Sequence, residues 1–192
     1  GGTSGIYALN AGVGVTTINV AGASGTAGSG ITTRVTNAAN NGELRITSTG
    51  TVSGGNTGLF AAHYGTGAVV VNTVAADATA GGTGIFARSY GTGLSVTASG
   101  TVAGAGNGIY TVHHGSSDTN INVVDVSAGT QSAINARHQA AVVGGDLNLT
   151  STGTLTGNLH GIYALHSGTG AINLKAVAGT GACGTGIVAS TT

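Results

Sequence analysis

The sequence has no proline, no methionine and no tryptophan, and only one cysteine. A lone Cys183 excludes an internal disulfide framework and a cysteine-only metal site. The burial tendency of free cysteine places Cys183 in the core as a small apolar residue. Charge is scarce as well: five basic and five acidic residues cancel, and they are scattered. A nucleic-acid footprint needs clustered Lys and Arg, so no nucleic-acid partner is expected. No apolar run approaches the ~18–20 residues that span a bilayer, so no transmembrane helix is expected. Low charge does not mean disorder here, because 40% of the residues are hydrophobic. Collagen is excluded because glycine, 38 of 192 residues, follows no every-third spacing and proline is missing.

What the chain does have is repetition. The text GIYALHSGTGAINL from Gly161 has close copies in GLFAAHYGTGAVVV from Gly58 and GIFARSYGTGLSV from Gly84. Aligned on this element, repeats start at Gly5, Gly30, Gly58, Gly84, Gly108, Ala133, Gly161 and Gly186, at intervals of 24 to 28 residues. Starts four repeats apart, such as Gly5 and Gly108, differ by 103 residues, as a duplicated block of four would. So regular a period indicates the coils of a solenoid, each burying its apolar face on its neighbours.

Three strand signals recur in each coil. The first pairs an aliphatic column (Ile6, Ile31, Leu59, Ile85, Ile109, Ile134, Ile162, Ile187) with a small column two residues on (Ala8, Thr33, Ala61, Ala87, Thr111, Ala136, Ala164, Ala189). Alternation puts both on one face of a strand. The second signal points Ile18/Val20, Leu44/Ile46, Val69/Val71, Leu94/Val96, Ile121/Val123, Leu147/Leu149 and Ile172/Leu174 inward. Asn19, Arg45, Val70, Ser95, Asn122, Asn148 and Asn173 lie between them and point out. The third signal is weaker: Val52, Val102 and Leu155 in coils with STGTV-like text, Val74, Val126 and Val177 in the others.

The fold expected is therefore all-β: a right-handed parallel β-helix of about seven coils of 24–28 residues, three short strands per coil. It forms one domain over residues 1–192. At ~4.8 Å per coil, seven coils span about 34 Å. The chain begins within the pattern at Gly1-Gly2, so it is expected to be a segment of a longer chain or a stacking subunit. Its open strand edges at both ends are then expected to be sticky.

The pattern GIYA-x-x-x-GTG-x-(L/I)-x-(L/V)-x-x-x-GTV-x-G resembles the passenger repeats of bacterial autotransporters and related large surface adhesins of Gram-negative bacteria. The resemblance implies an exported, extracellular or cell-surface structural or adhesive role. Implied partners are the chain itself, stacking end to end or laterally, or a host or cell-surface protein or glycan.

Chemistry-bearing residues form three groups. The acids are Glu43, Asp77, Asp118, Asp125 and Asp146. Four coils, ~19 Å, separate Glu43 from Asp146, beyond the ~5–9.5 Å of a glycosidase pair. Asp118, Asp146 and Arg137 are the one grouping for a carbohydrate-degrading alternative, a polysaccharide lyase or hydrolase. Two acids make a poor calcium site, and no G-x-S-x-G is present. No catalytic residue, metal or cofactor is assigned, and the chain is not expected to be an enzyme.

Histidine occupies one place in four coils: His63, His113, His138 and His166. Asn10, Val35 and Ser89 hold it in the others, and His114 and His160 lie close by. Such a corner column is either a transition-metal or pH-sensitive stripe, or a ladder of polar side chains bonding backbone groups. The third group faces outward beside the first strand's aliphatic column: Tyr7, Phe60, Phe86, Tyr110 and Tyr163, with Arg88 and Arg137 among their neighbours. It reads either as a stacking ladder or as a contact surface. Thr47/Thr49 and Thr150/Thr152 give an ice-binding Thr-x-Thr spacing in two coils only.

Overall fold

The computed structural model describes residues 4–139 and 144–192, so the opening Gly1-Gly2 lies outside the described residues. The strands in chain order begin with β1 (Ile6–Asn10), β2 (Thr16–Val20), β3 (Ala23–Gly25), β4 (Ser29–Val35) and β5 (Leu44–Gly54). Next come β6 (Thr57–His63), β7 (Val69–Ala78), β8 (Thr83–Ser89), β9 (Leu94–Gly104), β10 (Ile109–His113) and β11 (Thr119–Ala128). The rest are β12 (Ile134–Gln139), β13 (Leu147–Gly157), β14 (Ile162–Ser167), β15 (Ile172–Gly181) and β16 (Ile187–Thr191). No helix is present among the described residues, so none there is long and apolar enough to cross a membrane.

Every strand pairing is parallel and joins equivalent strands of successive coils, giving a β-solenoid of about seven turns. The first sheet runs β1-β4-β6-β8-β10-β12-β14-β16 and the second β2-β5-β7-β9-β11-β13-β15. Register in the first sheet follows the repeat alignment residue for residue, from Ile6 opposite Ile31 to Ile162 opposite Ile187. The reason is physical: a one-residue slip would turn the Ile and Ala columns out to water and the aromatic column into the core. Ile31, Leu59, Ile85, Ile109, Ile134 and Ile162 are fully buried, packed against Leu44, Val69, Leu94 and Leu147 of the second sheet.

The second sheet departs from the expectation in three ways. First, the second and third strand signals are continuous from β5 onward, so later coils have one short and one long strand where three short ones were expected. Only the first coil keeps them apart, as β2 and β3. β5, β9 and β13 each carry one extra residue in a bulge against their neighbours: Ser48 to Thr51 lies opposite Thr73 to Ala75. The buried Ser48 hydroxyl donates to the Gly50 carbonyl there, at 2.6 Å. Ser48→Ala is expected to cost about 1 kcal/mol, read as a urea-midpoint shift. Ala98 fills the same column without a hydroxyl, so the substitution should be tolerated sterically.

Second, the alignment of two coils slips by two residues. Thr16, not Ile18, stands opposite Leu44, and Thr119, not Ile121, stands between Leu94 and Leu147. Parity survives a two-residue slip, so Ile18 and Ile121 still face inward. The outward column accordingly contains Thr17 and Asn120 in place of Asn19 and Asn122. Hydrogen bonds fix the register: Asn10 Nδ2 donates to Thr16 Oγ1 at 2.7 Å, and Thr119 Oγ1 lies 3.0 Å from His113 Nδ1.

Third, the bulge re-aims the end of the strand. Ala76 takes the inward place opposite Val52 and Val102, and Gly179 that opposite Leu155. Val126 is buried, but Val74 is exposed and Val177 is 74% exposed. Cys183 also reverses expectation: it is exposed in the turn between β15 and β16, its Sγ 3.4 Å from Asn158 Oδ1. A turn offers no inward face to a side chain whose only claim to the core is apolarity.

Candidate functional site

The histidine column is interior. His63, His113, His138 and His166 occupy inward places of β6, β10, β12 and β14 and are fully buried. Each Nε2 reaches the turn carbonyl of the preceding coil: Gly42 at 2.8 Å, Gly91 at 3.1 Å, Gly115 at 3.0 Å and Gly145 at 2.8 Å. Since a carbonyl only accepts, Nε2 carries the proton and Nδ1 is the acceptor. His63 Nδ1 takes the Gly65 N–H at 3.0 Å, and His113 Nδ1 takes the Thr119 hydroxyl. This is the ladder of polar side chains bonding backbone groups, with imidazoles of successive coils 4.7 Å apart between centroids. Burial pushes the His113 pKa down to about 4, with the nearby His138 and His114 adding to the effect. Burial lowers His138 as well. Among the described residues, no three His, Cys, Asp or Glu side chains are grouped to hold a metal ion.

The acids are used locally. Asp118 and Asp146 do approach, but Asp118 Oδ1 accepts the Asp146 backbone N–H at 2.8 Å. Asp146 Oδ1 in turn accepts the Ala171 N–H at 2.9 Å. They pin successive turns, as Asp125 does by accepting the N–H and hydroxyl of Thr154, bonds that lower its carboxyl pKa. Glu43 is paired with Arg45 at 2.7 Å. Asp118 also lines an open groove of about 440 Å³ with Thr92, Ser95, Ser117 and Asn120. Arg137 belongs to the first sheet and is held elsewhere, between two tyrosines.

The outward face of the first sheet brings the remaining candidates together. Phe60 and Phe86 stack at 4.8 Å and 8°, and Tyr110 meets Phe86 edge-on at 5.5 Å. Asn135 interrupts the column, and Arg137 closes the gap. Its guanidinium lies 5.7 Å from the Tyr110 ring and 5.8 Å from the Tyr163 ring, and its Nε donates to Asn135 Oδ1 at 3.2 Å. Arg88 lies over Phe86 at 5.5 Å, and Arg34 over Phe60 at 4.9 Å. Tyr7 stands beside Thr32 and is 62% exposed, the most open ring of the column.

Sequence reasoning passed over a second aromatic column on this face. Tyr64 and Tyr90 stack at 5.6 Å, and Tyr90 and His114 at 4.4 Å. The signal was available, since Tyr64 and Tyr90 lie four residues beyond Phe60 and Phe86 and so share their side of the sheet. Burial and the neighbouring Arg88 lower the His114 pKa. Between the two ring columns runs a third: Leu9, Arg34, Ala62, Arg88, Val112, Arg137, Leu165. The face thus carries a strip of stacked rings on the strands and just past their ends, with guanidinium groups along the line between. Compared with family models, curated proteins and solved structures, the chain matches none.

Proposed function

We propose that this solenoid is a non-enzymatic structural and adhesive element of a bacterial surface fibre, of the autotransporter-passenger kind its repeats resemble. The outward face of the first sheet is its contact surface. The observation that carries the reading is that strip: two stacked ring columns flanking an arginine-bearing midline on a rigid hydrogen-bonded stack. Aromatic and Arg side chains are the types that dominate binding energy at interfaces. Stacking holds them in place before contact, which cuts the entropy lost on binding. The extracellular location is supported by the repeat text alone.

The test is the double variant Phe86→Ser, Tyr110→Ser in the surface-displayed protein. Association with cells or with itself is expected to fall at least about tenfold, as loss of one hot-spot ring would give. Stability should fall by only about 1–2 kcal/mol, since stacked pairs contribute ~0.5–1.5 kcal/mol each. Unchanged association with a native circular-dichroism spectrum would remove this face as the contact surface.

A further inference from the structure

Three of the chain's five basic residues lie in one column of the first sheet, and they occupy alternate coils. Arg34, Arg88 and Arg137 are separated by Ala62 and Val112. With ~4.8 Å between adjacent strands, the guanidinium groups recur every ~9.6 Å along the solenoid axis. None of the five acids belongs to a strand of this sheet. Among the described residues the one side-chain ion pair is Arg45 with Glu43, on the second sheet. The three charges on the strip are therefore not neutralised, and the buried Arg88 Nε has no hydrogen-bond partner. Arg137 borders a pocket of about 210 Å³ shared with Asn135, His160 and Tyr163.

Resting on the contact-face reading above, we infer that the strip binds a linear acidic polysaccharide lying along the solenoid axis, in which uronate and neutral sugars alternate. Two periods coincide. β-Linked pyranoses in an extended chain advance by ~5 Å each, close to the spacing of parallel strands. A carboxylate on every second sugar then meets an arginine on every second coil. Phe60 and Phe86 cover each other's faces, so the apolar face of a pyranose, carrying axial C–H groups, packs against their outward edges and against Tyr110, which is turned 79° from Phe86. A guanidinium donates two parallel N–H···O bonds to a carboxylate, a geometry that a lysine would not reproduce. Arg88 makes no ion pair, so its terminal N–H groups are the donors for this while its buried Nε is not reached, and Arg137 would add the Asn135 amide and a ring-sized pocket at one end of the track.

The inference is tested with size-defined oligosaccharides of alternating glucuronate and N-acetylglucosamine, beside the same oligosaccharides with their carboxyl groups reduced to alcohols. Arg34 to Arg137 spans four coil steps, ~19 Å, so affinity should rise with length to about the hexasaccharide and then level off. Carboxyl reduction should abolish most binding, and affinity should fall as salt rises. Each Arg→Gln change is expected to cost about fivefold and the triple variant about 100-fold. Circular dichroism on the triple variant checks that the coils persist. Equal binding of the carboxyl-reduced series, or full affinity of the folded triple variant, overturns the inference. So does binding to anionic lipid vesicles with none to the oligosaccharides. If the oligosaccharides fail to bind while Phe86→Ser, Tyr110→Ser still lowers adhesion, the acidic-glycan assignment falls and the contact face stands.

Discussion

Acidification from pH 7.5 to pH 4 is expected to remove about 3 kcal/mol of stability through His113 alone, because its pKa falls from 6.5 in the open chain to about 4 in the coil. The direction follows from proton counting. Between those two values the unfolded chain binds a proton that the folded chain refuses. The contribution is therefore complete above about pH 6.5, drains away as pH falls toward 4, and is flat below. Burial is the main cause, reinforced by His138 and His114; the Gly91 carbonyl bond and Asp118 act the other way but do not win. The lowered pKa of His138 adds loss in the same direction. Asp125 titrates beneath this window, since its carboxyl is held below the usual range. Urea midpoints at pH 7.5, 6, 5 and 4 measure the effect. In His113→Val the His113 part of the slope should vanish, because Val35 already fills the same column without a titratable group. A midpoint constant from pH 7 to 4 would mean that the imidazole is wet.

The same histidines show how far the sequence could be read. Their recurrence at one repeat position was visible, and so was the choice between a metal or pH stripe and a backbone-bonding ladder. What settles the geometry is parity: counting two residues at a time from Ile109 through Thr111 reaches His113 on the inner face. A period-2 count with a fixed anchor survives even where the text is irregular, which is why the first sheet matches the alignment throughout. The second sheet is less legible because hydrophobicity is not what fixes its register in two coils. Thr16 and Thr119 sit where Leu, Val or Ile sits elsewhere, each next to a polar partner from the first strand, Asn10 or His113. A pattern search for aliphatic residues steps over them to Ile18 and Ile121. The bulges have the same effect on Val74 and Val177, whose side is decided by one inserted residue in the neighbouring coil.

The two halves of the site differ in legibility for a related reason. Phe60, Phe86 and Tyr110 share a repeat position, so alignment finds them. Tyr64 and Tyr90 share theirs with Thr36, His114 and Ser167, a mixture with no conspicuous chemistry. Alternation alone already sets Arg34, Arg88 and Arg137 in an outward column beside Phe60, Phe86 and Tyr110; only the sheet shows that Tyr64 and Tyr90 stack along its other side. The three Arg, at every other coil, are invisible to a charge count over the whole chain. Net charge is zero, yet three of the five positive groups share one column of the first sheet, whose strands hold none of the acids.

Gly104→Ala is expected to cost about 3 kcal/mol, the upper end of what overpacking one methyl into a closed site does. Gly54, Ala78, Gly104 and Ala128 stand opposite one another in a single column, so glycine and alanine alternate across these four coils, while Gly25 and Gly181 continue the column at its ends. Alternation follows the corner that comes next. In the glycine coils the chain reverses at once, and the carbonyl oxygen three residues on turns back over the glycine. A Cβ on Gly54 would run into the Thr57 oxygen, on Gly104 into that of Asn107, and on Gly157 into that of His160. These are backbone atoms that cannot swing aside. In the alanine coils six residues lie between Ala78 and the inward Ile85 and five between Ala128 and Ile134, against four between Gly104 and Ile109, and the wider corner leaves room for the methyl group. The reciprocal change Ala78→Gly should therefore cost only about 1 kcal/mol, mainly in unfolded-chain entropy. For a chain of this length the two costs correspond to melting-temperature drops of about 6–12 °C and about 2–4 °C. Equal losses from the two substitutions would show that the corner after β9 is no tighter than the corner after β7, and the two-coil rhythm would then need another cause.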